Sequence, residues 1–195
     1  MVNAKSSLLL KRQHGSSMIE VLVTLLIMTF GLLGLAGIQG RLQSSEMESY
    51  QRSQALLLLS DMANRIAINR ASAPAYAAGA PVANPLGAGM TTCPTTTTTA
   101  AQRDLGEWCN ALQGAGETSG SNKVGAMNGG RGCVEVTASG DYLVSVAWLG
   151  LTPLSEATST AICGGGTTYD GASGSVCTGN RCRRGVTTLV RIATL

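Results

Sequence analysis

The longest apolar stretch occupies residues 21–38, VLVTLLIMTFGLLGLAGI, and contains no charge. A helix rises about 1.5 Å per residue, so roughly 20 such residues match a hydrocarbon core about 30 Å thick, and one membrane span is expected. Glu20 stands immediately before the run, the one charge between Gly15 and Ile38. A carboxylate at bilayer depth costs several kcal/mol unless a partner or water relieves it. Either Glu20 stays at the wet interface of an ordinary signal anchor, helped by the positive end of the helix dipole, or it meets a partner inside the membrane.

Past Gly40 the pattern turns amphipathic. Leu58, Met62 and Ile66 fall at i, i+4 and i+8, with Asp61, Asn64 and Arg65 between them, the spacing of a helix with one buried face. The first proline is Pro74, so one helix is expected from 16 to 71, roughly 80 Å long. Gly31, Gly34, Gly37 and Gly40 recur at every third position. Small residues let membrane helices approach closely, whereas each glycine weakens a helix by about 1 kcal/mol relative to alanine; both uses stay open.

From 72 to 98 the chain is rich in Ala, Gly, Pro and Thr and reads as an irregular connection, neither helix nor buried strand. Its threonine run at 95–99 reads as a solvated loop, with glycan attachment as the alternative. Thr99-Ala100-Ala101-Gln102 has the form of a capping box, and Leu105, Trp108 and Leu112 make one apolar stripe before Gly114 stops it. Trp108 is expected in the core rather than as a ligand platform. After a Gly, Ser and Asn-rich loop the period drops to two: Val134 and Val136 alternate with Glu135 and Thr137. Ala138-Ser139-Gly140-Asp141 turns the chain, and YLVSVAWL returns as a second strand. A glycine-rich loop over 163–184 and a third strand over 186–195 follow. The expected class is therefore α+β, a long N-terminal helix on an antiparallel sheet of about three strands with long loops.

The junction ahead of the apolar run adds the sharpest signal. A basic, polar leader with Lys5, Lys11, Arg12 and His14 ends at Gly15, and Ser16-Ser17-Met18-Ile19-Glu20 opens the apolar segment. Secretory signals lose their hydrophobic segment, about 7–15 residues long; cleavage at Gly15 would keep it. Leu35-Ala36-Gly37 is followed by Ile38 rather than cysteine, so no lipid anchor is implied. The formal net charge of +3 equals the three basic residues of the leader. Without them the chain is near neutral, and nucleic-acid affinity is not expected from charge. By the positive-inside rule the same residues hold the N-terminus in the cytoplasm.

This arrangement resembles the prepilin signal of type IV pilins and pseudopilins. The resemblance implies cleavage between Gly15 and Ser16 by a prepilin peptidase and methylation of the Ser16 amine. It also gives Glu20 the task of neutralising a neighbouring subunit's N-terminus. Most such chains begin with Phe, from which Ser16 departs. The order of elements is that of a pilin fold, giving a leader at 1–15, a transmembrane and filament-core helix at 16–40, its amphipathic half at 41–71 and a head domain at 72–195. Within the family the chain is most similar to PilV-type minor pilins, through residues 15–39, the LSDMANRIAINR segment at 59–70 and Asp104-Leu105-x-x-Trp108. The likeness is good over the first seventy residues and loose beyond.

That resemblance implies an inner-membrane protein with its head in the periplasm, later on the pilus or cell surface. There it would prime pilus assembly at the tip with other minor pilins and the major pilin, presenting a tip adhesin, in the service of adhesion and twitching motility. A type II secretion pseudopilin is the alternative. A membrane-tethered periplasmic enzyme or receptor is a third reading, of a different class.

Cys93, Cys109, Cys133, Cys163, Cys177 and Cys182 lie beyond the span, where disulfides persist. Three bridges are expected, with about 15 connectivities open. No histidine follows His14, which removes Ser-His-Asp, Cys-His and His-metal chemistry from the mature chain. The cysteines lack zinc-knuckle spacing. Asp104, Glu107, Glu117, Glu135, Asp141, Glu156 and Asp170 are scattered, and no glycine-rich stretch has the phosphate-loop form. No enzyme, metal or cofactor is expected. Arg181, Arg183 and Arg184 form the one dense basic cluster, a solvated loop or a brace for carboxylates, with DNA capture as the sharper alternative.

Overall fold

The structure, a computed structural model, describes residues 17–120, 122–123, 125, 127–154, 163, 169–170 and 174–192. The chain divides into two compact units, Met1–Gln43 and Ser44–Leu195. Helix α1 spans Met18–Ile68. Ser17 opens it: its hydroxyl accepts from the Ile19 N–H at 3.3 Å, and its carbonyl accepts from the Glu20 N–H at 2.9 Å. Two of the first-turn amides that no helical carbonyl can reach are thereby satisfied.

In the second unit α1 buries Gln51, Ala55, Leu59, Met62 and Ile66. The buried line steps by four, four, three and four residues. A strict spacing of four drifts around a helix of 3.6 residues per turn, which is why Leu59 faces inward and Leu58, expected there, lies at the flank. The helix ends before the expected residue 71. A 3-10 turn, Arg70–Ser72, follows, then a short helix α2, Ala73–Gly79. The connection read as irregular is thus partly regular. Pro74 sits in the first turn of α2, where its missing N–H costs nothing, and Tyr76 is fully buried. Strand β1, Leu86–Gly87, is buried as well.

Helix α3, Ala100–Leu112, begins at the expected capping box: the Thr99 hydroxyl accepts from the Gln102 N–H, and the Gln102 side chain accepts from the Thr99 N–H. Leu105, Trp108 and Leu112 are all buried. A minimal hairpin, β2 (Thr118–Ser119) and β3 (Asn122–Lys123), interrupts what was read as plain loop. Strands β4 (Arg131–Val136), β5 (Tyr142–Leu149) and β6 (Arg183–Val190) complete an antiparallel sheet of four strands, ordered β1-β4-β5-β6. The expected three strands are the long ones, but the last starts at Arg183, inside the expected loop, and ends at Val190 rather than running over 186–195; β1 is the addition. Gly140, at φ 85°, makes the β4–β5 turn in the left-handed region.

One face of the sheet carries Val134, Val144, Val146, Trp148 and Val190, which join the buried residues of α1, α2 and α3 in the main core. The opposite face carries Cys133 and Ala147, covered by Cys163 and Tyr169 with Val82 and Leu149 alongside. Strand β5 reads as nearly continuous apolar sequence because it is central and covered on both sides. The cysteines pair Cys93 with Cys109, Cys133 with Cys163 and Cys177 with Cys182. These bridges tie the connecting loop to α3 and β4 to the covering loop, and they close a small ring before β6.

Candidate functional site

The apolar half of α1 is a surface rather than a pocket. It contains a window of mean hydropathy 2.5 with none of its residues buried, and is long and apolar enough to cross a membrane. Glu20 lies in the first turn of this helix, exposed. Among the described residues no side chain partners its carboxylate. Gly15 and Ser16 lie outside the described residues, as does the rest of the leader.

The second half of α1 meets α2 and α3 through one cation. Arg65 Nε donates to both oxygens of Asp61, at 3.1 and 3.0 Å, closing an i, i+4 pair along α1. Its Nη1 donates to Asp104 Oδ1 and Glu107 Oε2, each at 2.7 Å, on α3. The Tyr76 hydroxyl of α2 donates to the other oxygen of Asp104 and accepts from Asn69 Nδ2 at 3.2 Å. Three helices are joined by a network of five side chains around one guanidinium. Below it, Trp108 Nε1 donates to the Leu58 carbonyl at 2.9 Å, an unusual use of a mid-helix carbonyl that fixes the indole against α1. A Cβ at position 132 on β4 would overlap the Trp108 ring, so only glycine lets the sheet approach it.

Electrostatics follow from these contacts. Burial acts to lower the Arg65 pKa, but the hydrogen bonds to Glu107, Asp61 and Asp104 outweigh it and raise the value further above the ordinary range. The Tyr76 phenol is pushed up to about 12, first by burial and then by donation to Asp104. Both groups stay protonated at any physiological pH, so the network is a brace and not a proton relay. Among the described residues no group of three or more His, Cys, Asp or Glu side chains is arranged to hold a metal ion.

The basic cluster at the start of β6 is also engaged. Arg184 Nε pairs with Glu48 of α1 at 2.5 Å, and its Nη2 donates to the Thr152 carbonyl at 2.8 Å. Arg183 is buried: its Nη2 donates to the Cys163 carbonyl and its guanidinium lies 5.5 Å from the Tyr169 ring centre. Arg181 Nε donates to the Leu154 carbonyl at 2.9 Å. These contacts favour the brace among the readings of the cluster. Burial lowers the Arg183 pKa. The Arg65 hub was missed in the sequence, where Asp104 and Glu107 are separated from it by about forty residues. The available signal was indirect: the LSDMANRIAINR and Asp104-Leu105-x-x-Trp108 segments were singled out separately, and they turn out to be two sides of one junction.

An exposed apolar helix, long enough to cross a membrane, opens on an acidic first turn, and the second unit is a disulfide-bonded α+β fold. Two family models match this chain. The prokaryotic N-terminal methylation motif matches residues 10–36, and the family described as type IV pilin Tt1218 matches residues 37–116. These adjoining matches, over residues 10–116, support a type IV pilin. No curated protein and no solved structure matches it. The methylation motif implies processing by a prepilin peptidase and assembly with other pilins. The Arg65 hub, Trp108 and the Cys93–Cys109 bridge all fall within the second match.

Proposed function

We propose that this chain is a minor pilin of the PilV type that primes pilus assembly. Prepilin peptidase removes residues 1–15, cutting between Gly15 and Ser16, and the new Ser16 amine is methylated. The helix of residues 16–40 crosses the inner membrane once with its N-terminus in the cytoplasm. Residues 41–71 continue it, and residues 72–195 form the head in the periplasm. The chain joins other minor pilins in a complex that nucleates the major pilin and stays at the tip, where it presents an adhesin. Its work is structural, without catalysis or cofactor.

One observation carries this reading: the exposed apolar half of α1 bears a lone carboxylate in its first turn, without a partner of its own among the described residues. In hydrocarbon that carboxylate needs a cation, and a neighbouring subunit's freed amine supplies one at the same depth. The test is mass spectrometry of the N-terminus of the cellular protein and of sheared surface filaments. A methylated Ser16 in those filaments is the expected result; a chain that still begins at Met1 defeats the reading. Glu20→Ala is expected to insert in the membrane normally and to be lost from filaments, and its normal incorporation defeats the pairing.

A further inference from the structure

Of the asparagines in this chain, Asn128 alone is followed by glycine. It sits in the turn that leads into β4. There the Gly130 N–H donates to the Met127 carbonyl at 3.3 Å, and Gly129 takes φ 66° while Asn128 stays out of the left-handed region. These four residues have the form of a type II turn, which calls for glycine at its third position. Asn128 is exposed. Among the described residues its side-chain amide makes no hydrogen bond, and no acceptor takes the Gly129 N–H. A carboxamide and the main-chain nitrogen that can attack it are thus adjacent and unengaged, and no Cβ on Gly129 obstructs the approach.

We propose that Asn128 converts spontaneously to an acidic residue through a cyclic imide formed with the Gly129 amide. The Gly129 nitrogen gives its proton to hydroxide and attacks Asn128 Cγ. The Cγ–Nδ2 bond breaks, and the departing nitrogen takes a proton from water to leave as ammonia, which regenerates hydroxide. Water then adds to one carbonyl of the imide and breaks that carbonyl's bond to nitrogen. Opening at Cγ gives aspartate; opening at the main-chain carbonyl gives isoaspartate, whose main chain runs through the side-chain carbon. Either product carries a carboxylate that is ionised at neutral pH. The inference does not depend on the assembly reading.

Other asparagines are held back by their surroundings. Asn64 and Asn110 lie inside α1 and α3. Asn69 Nδ2 donates to the Tyr76 hydroxyl, and Asn180 Oδ1 accepts from the Tyr169 N–H at 2.6 Å. Asn84 precedes Pro85, which has no N–H to react. At Asn128 one restraint remains, because its main-chain carbonyl accepts from the Leu149 N–H of β5 at 2.8 Å. Attack turns the Gly129 nitrogen toward Cγ about the Cα–C bond of Asn128, and the carbonyl of the same peptide swings off Leu149. Isoaspartate makes the change permanent. Its main chain is one methylene longer, so the carbonyl is displaced and the end of β5 loses an acceptor that a backbone donor needs.

The test incubates the full chain in detergent, in mildly alkaline heavy-oxygen water, and maps its peptides by mass spectrometry with electron-based fragmentation. The peptide holding Asn128 is expected to become acidic and take up heavy oxygen at least about tenfold faster than those holding Asn110 or Asn180, since an exposed turn opens more readily than a helix or a bonded loop. Isoaspartate at position 128 is expected among the products, because direct hydrolysis of the amide yields aspartate alone. In the isoaspartate fraction, separated by ion exchange, the Leu149 amide is expected to exchange its hydrogen faster, while an Asn128→Ser chain aged alongside keeps its protection. Conversion at Asn128 no faster than at Asn110, or aspartate without isoaspartate, overturns the proposal. Undiminished protection of Leu149 in the isoaspartate fraction overturns the effect on β5. The decisive rates are read on the unsubstituted chain.

Discussion

Residues 17–47 are exposed without exception, although most of residues 21–38 are apolar, whereas the second unit holds Trp108, Tyr76, Met62 and Ile66 fully buried. The two regions answer to different solvents. In the head, apolar side chains leave water by meeting one another, at about 25 cal/mol per Å² of apolar surface buried, and three disulfides restrict its unfolded state. Among the described residues the apolar side chains of 21–38 stay exposed, in a helix long and apolar enough to cross a membrane. The lesson is one of location: what holds the second unit together is internal, and the apolar surface of residues 21–38 is left exposed.

The comparison predicts a graded series of effects on thermal unfolding of the full chain in detergent. Trp108→Ala is expected to cost the most, about 3–5 kcal/mol, because it empties the junction between α1, α3 and the sheet and leaves the Leu58 carbonyl without its donor. A calorimetric loss under about 1 kcal/mol would show that α1 is held there by something else. Replacing Cys133 and Cys163 together by serine opens a loop with a sequence separation of 30. About 3–4 kcal/mol is expected from chain entropy, read as a lower denaturation midpoint with membrane insertion unchanged.

Tyr76→Phe is expected to cost about 1.5–3 kcal/mol at neutral pH, the worth of a hydrogen bond to a charged acceptor, and to change the response to alkali. In the folded chain the phenol keeps its proton to about 12, while the unfolded phenol releases it near 10. The unfolded state therefore binds fewer protons between those values, and the contribution of Tyr76 is complete below pH 10 and is lost as pH rises from about 10 to 12. A pH series of unfolding midpoints checks this: the variant should lack that part of the alkaline decline. At the small end, Leu26→Ala in the span should move head unfolding by less than about 0.5 kcal/mol, since Leu26 is 48% exposed. A larger shift would erase the distinction between the two regions.

Much of the head could be read from local pattern. The capping box at Thr99, the Leu105, Trp108 and Leu112 stripe, and the hairpin around Gly140 each depend on residues within a few positions of one another, so spacing alone located them. Segment 72–98 misled because proline and alanine density looks like a linker. The short helix α2 and the two-residue β1 are stabilised by burial of Tyr76 and Leu86 in a core made elsewhere, which local composition does not register. Met62 and Ile66 face inward as expected, and only Leu58 yields its place to Leu59, for a related reason. Leu58 and Leu59 are equally apolar, and only the accumulated helical phase over residues 51–66 separates them.

By itself the sequence determined the apolar span, its single carboxylate, the long helix, the α3 cap and the strand alternation, because each is written in the spacing of neighbouring residues along one element. Tertiary structure alone decided which cysteines pair and that Arg65 gathers Asp61, Asp104 and Glu107. It also decided that Arg184 is taken up by Glu48. Those outcomes depend on distances between segments far apart in the chain, and such distances are set only when a common core closes over them.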